Sequence, residues 1–220
     1  LSRGLGDVYK RQMYAYIERR GSLFDIDCLS LFGTNSFNLV WEKICADIMD
    51  NQLDVPLGVL KLPVPLKDGY DRKKKLIELI EKPLWTVTGK TAKDTLIPDL
   101  ISICKVNNQY QFIIFDAKYY NAQLEKGIAP TGQPGIESVT KQYLYQLAYQ
   151  KFIEEHEFAS VKNCFLLPTE NSEIEDKGEV RMEILSNLGL QNIKIRLIPA
   201  DKAYDLYLSG RKMDIEMMNL

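Results

Sequence analysis

Apolar side chains recur through residues 37–53 at Leu39, Val40, Ile44, Ile48 and Met49, the spacing of one face of an α-helix. Asn35 or Ser36 stands ready to cap its start. Residues 97–106 and 111–120 are rich in β-formers and flank Asn107-Asn108, a hairpin signal. Residues 136–155 predict a long helix, and residues 199–208 a closing one. Strands are expected at residues 84–88, 159–167, 179–185 and 192–198. Residues 55–69 and 122–135 hold proline and glycine and read as loops. The core order is helix, three strands, helix, strand. Interleaving of this kind predicts an α/β fold with a mixed central sheet flanked by helices. Phe112-Ile113-Ile114-Phe115 is apolar on both faces, which places that strand inside the sheet.

With 220 residues the chain is long enough for one domain with a full core. Its net charge of −2 excludes binding to nucleic acid by bulk positive charge and leaves only local basic groups for such work. No apolar run is long enough to span a bilayer and no signal-peptide pattern is present, so the cytoplasm is expected, with no membrane partner. Cys28, Cys45, Cys104 and Cys164 are too scattered for a zinc site and read as small hydrophobes. The single histidine, His156, is expected at the surface near a helix C-terminus. Gly89-Lys90-Thr91 resembles the end of a phosphate-binding loop, but no glycine stands five residues earlier, so no nucleotide site is expected there. The Lys73-Lys74-Lys75 run reads as a solvated face, and Glu170, Glu173, Glu175 and Asp176 as a polar loop. Residues 1–12 (LSRGLGDVYKRQ) resemble a translated sequencing-adapter string and are left out of the fold argument.

The chemistry concentrates where the apolar strand ends. Asp116 and Lys118 alternate with Ala117, so both point to one face. Asp99 lies as far before the Asn107-Asn108 turn as Asp116 lies after it. A hairpin centred there makes the two acids opposite neighbours, with Cβ atoms roughly 5 Å apart. Two carboxylates that close repel, and a divalent cation such as Mg²⁺, with Mn²⁺ as a substitute, is the natural compensation. Lys118 is placed to orient a water, which makes metal-assisted phosphodiester hydrolysis the expected chemistry.

Pro98-Asp99 followed by Asp116-Ala117-Lys118 resembles the PD-(D/E)XK motif of the restriction-endonuclease-like superfamily. The resemblance implies a restriction-endonuclease-like core in which Asp99, Asp116 and the Ala117 backbone carbonyl hold Mg²⁺ while Lys118 assists the attacking water. Glu42 stands in the preceding helix, where this superfamily places an additional acid, and is a further catalytic and metal-binding candidate. Gln142 and Gln146 lie four apart on the following helix and, with Tyr145, resemble the helix glutamine and tyrosine of RecB-like nucleases. Gln146 is thus a catalytic candidate, and Lys141, Gln142 and Tyr145 are candidate DNA contacts.

The stretches VWEKI, LIPDLISI, FIIFDAKYY and PGIESVTKQYLYQLAY resemble the nuclease subunit of LlaJI-type restriction systems, related to McrC, over residues 37–208. That resemblance implies a prokaryotic DNA endonuclease acting on double-stranded DNA with an AAA+ NTPase (McrB-like) partner, and a homodimer is a further expectation. It also implies that residues 13–220 form a single nuclease domain, the C-terminal part of a longer protein. The alternatives are a RecB-like repair exonuclease or junction resolvase, and a silent nuclease-fold module that only binds DNA or a partner. The presence of Asp99, Asp116 and Lys118 together argues against the silent module.

Overall fold

The structure is a computed structural model and describes residues 36–220. Residues 1–12, Cys28 and the cap candidate Asn35 lie outside the described residues. Helix α1 (Phe37–Ile48) begins at Ser36, whose side chain makes no capping bond, and buries Val40, Trp41, Ile44, Cys45 and Ile48. Short 3₁₀ turns follow at Leu57–Val59 and Leu76–Leu79. Strands β1 (Leu84–Trp85) and β2 (Lys90–Thr91) then form a small separate ribbon, where a single strand was expected.

The central hairpin is β3 (Leu100–Val106) and β4 (Gln109–Ala117). Asn107 and Asn108 both adopt positive φ, at 50° and 67°. That conformation belongs to the tight hairpin turn whose twist matches its strands, and asparagine tolerates it. Pairing therefore locks Leu100 to Phe115 and Val106 to Gln109, the register expected from the turn. Helix α2 (Ile136–Glu155) crosses back to β5 (Ser160–Thr169), which pairs parallel to β4. Such a crossover is what a parallel pair requires.

The order in the mixed five-stranded sheet is β3-β4-β5-β7-β6, with β6 (Glu175–Val180) antiparallel and β7 (Ile193–Pro199) parallel to their neighbours on the β5 side. Helix α3 (Ala200–Leu208) follows β7 directly. The α/β class and the flanked mixed sheet agree with expectation.

Alternation along the strands divides the core between the two faces. Leu100, Ile113, Phe115 and Ala117 pack with α1 and α3 on one face. Ile101, Ile103, Phe112 and Ile114 pack with Tyr145, Tyr149 and Phe152 of α2 and with Leu76 and Ile80 on the other. The outer edge of β3 is covered by the chain after α1. Gln52 N–H donates to the Ile101 carbonyl, Ile101 N–H donates to Asn51 Oδ1, and the Ser102 hydroxyl bonds the Met49 carbonyl. An open edge of unpaired backbone groups is thereby avoided.

Three expectations need correction. The strand foreseen at residues 179–185 lies earlier, at Glu175–Val180, and a 3₁₀ turn spans Glu183–Leu188. Glu175 and Asp176 therefore belong to a strand instead of a loop, because Asp176 pairs with Arg196 of β7. His156 is fully buried. One ring nitrogen bonds the Phe152 carbonyl and the other accepts from Lys67 N–H, so both polar atoms have partners away from water.

Candidate active site

Asp99 lies one residue before β3, and Asp116 and Lys118 lie at the far end of β4. Leu100 pairs with Phe115 one step inside, so the hairpin brings the two acids side by side. Ala117 N–H donates to Asp99 Oδ2 at 2.9 Å. Lys118 Nζ lies 3.7 Å from Asp99 Oδ2 and in direct ion contact with Asp116 Oδ1. That Asp116 oxygen receives no other donor among the described residues.

The face is shared with Ile101 and Ile114, so the acids sit at the rim of a dry core. Asp116 is only 3% exposed. Burial pushes its carboxyl up to about 8, a hydrogen bond shared with Asp99 and the Asp99 charge push the same way, and Lys118 opposes them. Burial pulls the Lys118 ammonium down, but Asp116 and Asp99 outweigh it and the net shift is upward.

Glu42 is brought into range by α1, whose Trp41 Nε1 donates to the Leu166 carbonyl at 3.1 Å. The same carbonyl accepts Lys118 N–H at 2.9 Å, which ties the helix and the strand end to one atom of β5. Glu42 is half-buried, and its carboxyl is raised by burial first and by the Asp99 charge second, while Lys118 and a bond to Asn38 lower it. The third acid thus feels Asp99 and Lys118 across the sheet edge.

The α2 residues divide sharply. Gln142 is fully buried, and its Nε2 donates to the Ile114 carbonyl at 2.8 Å. Gln146 Oε1 accepts from Asn163 Nδ2 at 2.7 Å and from Gln191 N–H at 3.0 Å. Both glutamines thus bind α2 to the sheet, and Gln142, a candidate DNA contact by sequence, has no exposed surface. Tyr145 is 6% exposed, and burial, Asp116 and Asp99 all push its phenol up. It lies in the electrostatic field of the acids as a neutral group. Lys141 is exposed and paired with Glu137 at 2.5 Å. Asn163, unremarked in the sequence, is the residue that joins the glutamines. Its only signal is one amide inside the apolar run Asn163-Cys164-Phe165-Leu166-Leu167.

Among the described residues, no group of three His, Cys, Asp or Glu side chains stands close enough to hold a metal ion. The donor chemistry at Asp99 and Asp116 still suits a hard divalent cation: two adjacent carboxylates, one of them buried and driven toward its protonated form by the other. A divalent charge relieves the burial penalty and the mutual repulsion together.

The profile of a family described as LlaJI restriction endonuclease matches residues 67–200, more than half the chain. The chain is also 30% identical over 189 residues to the type II restriction enzyme BsuMI component YdjA of Bacillus subtilis (strain 168). That alignment covers 83% of this chain but 35% of the relative, so the chain spans about a third of that protein's length. No solved structure matches. No described helix is long and apolar enough to cross a membrane. The matched region contains both strands of the acid-bearing hairpin and the whole of α2, and on that footing the chain belongs to the LlaJI restriction endonuclease family.

Proposed function

We propose that this chain is the nuclease part of a restriction enzyme, hydrolysing phosphodiester bonds of double-stranded DNA at Asp99, Asp116 and Lys118 with Mg²⁺, for which Mn²⁺ can substitute. The observation that carries the reading is the convergence of two carboxylates and one ammonium at the end of a single hairpin. A bound divalent ion would supply Lewis acidity toward the phosphate and lower the pKa of a water bound to it.

The chain's own groups do the rest. Asp99, Asp116 and the Ala117 carbonyl would hold the ion, while Glu42, which feels the charges of Asp99 and Lys118 from the neighbouring helix, would tune that ion's surroundings or hold a second one. Lys118 leaves its ion contact with Asp116 and turns its Nζ toward the attacking water, holding it in line with the scissile phosphorus. Ala117 N–H fixes the Asp99 carboxylate, and the Gln142–Asn163–Gln146 network holds α2 against the strand that carries Asp116. Gln146 therefore holds α2 to the sheet on which the site stands, and the exposed Lys141 is free to exchange Glu137 for a phosphate.

The relative's name, a component of a type II restriction enzyme, supports assigning this chain to an enzyme of several parts. The proposal includes an AAA+ NTPase partner, a homodimer on DNA and a cytoplasmic location. The test is plasmid cleavage with Mg²⁺, paired with calorimetric Mg²⁺ titration of the wild type and of Asp116→Ala and Lys118→Ala. Cleavage lost in both variants, with Mg²⁺ binding lost only in Asp116→Ala, is the expected pattern. Wild-type protein that neither binds Mg²⁺ nor cleaves with an NTPase partner present would overturn the reading.

A further inference from the structure

The ribbon formed by β1 and β2 stands outside the core and exposes its apolar residues. Leu84 is 60% exposed, Trp85 65% and Val87 100%. Three large apolar side chains on a two-stranded ribbon are costly to leave in water, and such a patch calls for a partner. Trp85 is the direct cross-strand neighbour of Lys90, so the indole and the ammonium lie on one face of the ribbon. Val87 sits in the connecting turn, closed by Thr88 N–H and Gly89 N–H on the Trp85 carbonyl.

Charge identifies the partner. Residues 71–94 carry seven Lys and Arg against four Asp and Glu, a local excess of +3 in a chain whose net charge is −2. Lys73, Lys74, Lys90 and Lys93 are exposed, and among the described residues their ammonium groups make no ion pair. Lys82 Nζ is engaged on the Lys93 carbonyl and stiffens the root of the ribbon.

Position ties the ribbon to the acids. Its root is closed by Thr95 Oγ1 donating to the Glu81 carbonyl at 2.6 Å, and Thr95 is four residues from Asp99, a reach of at most about 14 Å. On its other side, Leu76 and Ile80 pack in the same layer as Ile101, Ile114 and Tyr145, on the sheet face that carries Asp99 and Asp116. Tyr149 O–H donates to the Leu76 carbonyl and fixes that layer.

We infer that the ribbon Leu84–Thr91 is a DNA-docking arm, which places Trp85 against bases or sugars in a groove and Lys90 on the adjoining phosphate. A two-stranded ribbon fits the major groove, and apolar wedges beside cationic groups are a recurring way to grip a duplex. The inference rests on double-stranded DNA being the substrate, as proposed above, and assigns the surface that holds it beside the acids.

The test uses the full chain and a short fluorescein-labelled duplex in EDTA, which prevents cleavage. The chain has two tryptophans, and Trp41 is fully buried, so a change of emission on titration reports Trp85. Saturation with duplex should quench that emission, and Trp85→Phe should remove most of the change. Trp85→Ala and Lys90→Ser should each weaken duplex binding, on the order of tenfold for the indole that the groove would bury, without loss of helix content. Lys90→Ser should also reduce the slope of log affinity against log salt by about 1.

Unchanged emission at saturating anisotropy, unchanged affinity of both variants, or no duplex binding at all overturns the arm. Trp85-dependent self-association that is insensitive to duplex also overturns it, in favour of an interface between copies. Duplex binding through Trp85 with no cleavage on adding Mg²⁺ and an NTPase partner leaves the arm standing and removes the nuclease reading.

Discussion

Ala117 N–H donates to Asp99 Oδ2 across the open end of the β3–β4 hairpin. The amide lies between Asp116 and Lys118 in sequence, so the strand that carries one acid orients the other. Asp116 pays for this closeness with a carboxyl raised to about 8 by burial and by Asp99. The site is thus strained electrostatically toward taking up positive charge, which Lys118 supplies by direct ion contact.

A pH dependence follows from that shift. The folded protein keeps a proton on Asp116 over a range where the unfolded chain, with an ordinary value of 3.8, has lost it. The native state therefore binds more protons, and this group makes metal-free stability fall as pH rises from about 4 to about 8. Urea denaturation in EDTA across that range should show a negative slope for the wild type relative to Asp116→Asn. A slope equal in the two proteins would contradict it. Mg²⁺ bound as proposed would displace the same proton, so its affinity should rise with pH over this range.

Lys118 should matter to the fold as well as to the reaction. Its side chain is 19% exposed and is the cation between two acids. Lys118→Met leaves the Asp99 charge and the buried Asp116 carboxyl without their cation, and removing one partner of a largely buried pair costs about 3–5 kcal/mol. Metal-free Lys118→Met should melt well below the wild type, and Mg²⁺ should raise its Tm more than it raises the wild type's. Cleavage should fall on the order of 100-fold or more, the contribution of a positioned proton-transfer or water-orienting group. Equal melting of the two metal-free proteins would show that the ammonium does not compensate the acids.

The hairpin and its acids were legible because their placement is local. Two asparagines that accept positive φ fix the register, and counting outward from them pairs Leu100 with Phe115 and brings Asp99 beside Asp116. Strand β6 was not legible in the same way. Its residues Glu175-Asp176-Lys177-Gly178-Glu179-Val180 show no apolar alternation, and the strand is held as a sheet edge, with a register shift between Asp176 and Glu179. Burial of polar residues was the other failure. His156 reads as a surface group and Gln142 as a candidate DNA contact because their partners, the Lys67 amide and the Ile114 carbonyl, are 89 and 28 residues away in the chain. The missing link for Gln146, Asn163, lies on a strand whose other inward residues are apolar.

That amide network gives a prediction that separates support from chemistry. Asn163 Nδ2 donates to Gln146 Oε1 and to the Gln191 carbonyl. Asn163→Leu keeps the branched outline of the side chain and removes both donors, leaving buried acceptors short of partners at a cost of about 1–3 kcal/mol. Urea midpoints should drop accordingly, while Mg²⁺ affinity measured on the folded protein stays at the wild-type value. A Mg²⁺ affinity that falls in step with stability would mean that α2 sets the acid geometry directly.

Arg196 offers the sharpest test of how the chain is closed. It is 1% exposed, pairs with Asp176 Oδ1 at 2.6 Å, and donates to the carbonyls of Met218 and Asn219 at 2.6 Å each. One guanidinium thus holds the exposed edge strand β6 and the 3₁₀ turn Ile215–Met218 against β7. Methionine can fill the space but cannot donate, so Arg196→Met orphans two carbonyls and leaves the Asp176 charge, itself about half exposed, to water. The loss should be about 2–4 kcal/mol, set mainly by the unsatisfied carbonyls. The release should be local before it is global, since a segment held by few contacts opens at lower free energy than the core. Limited proteolysis followed by mass measurement should therefore show early cleavage within residues 209–220 of Arg196→Met, with the β3–β4 hairpin still intact. Cleavage that begins at the hairpin in the variant would place Arg196 in the central fold and not at its closure.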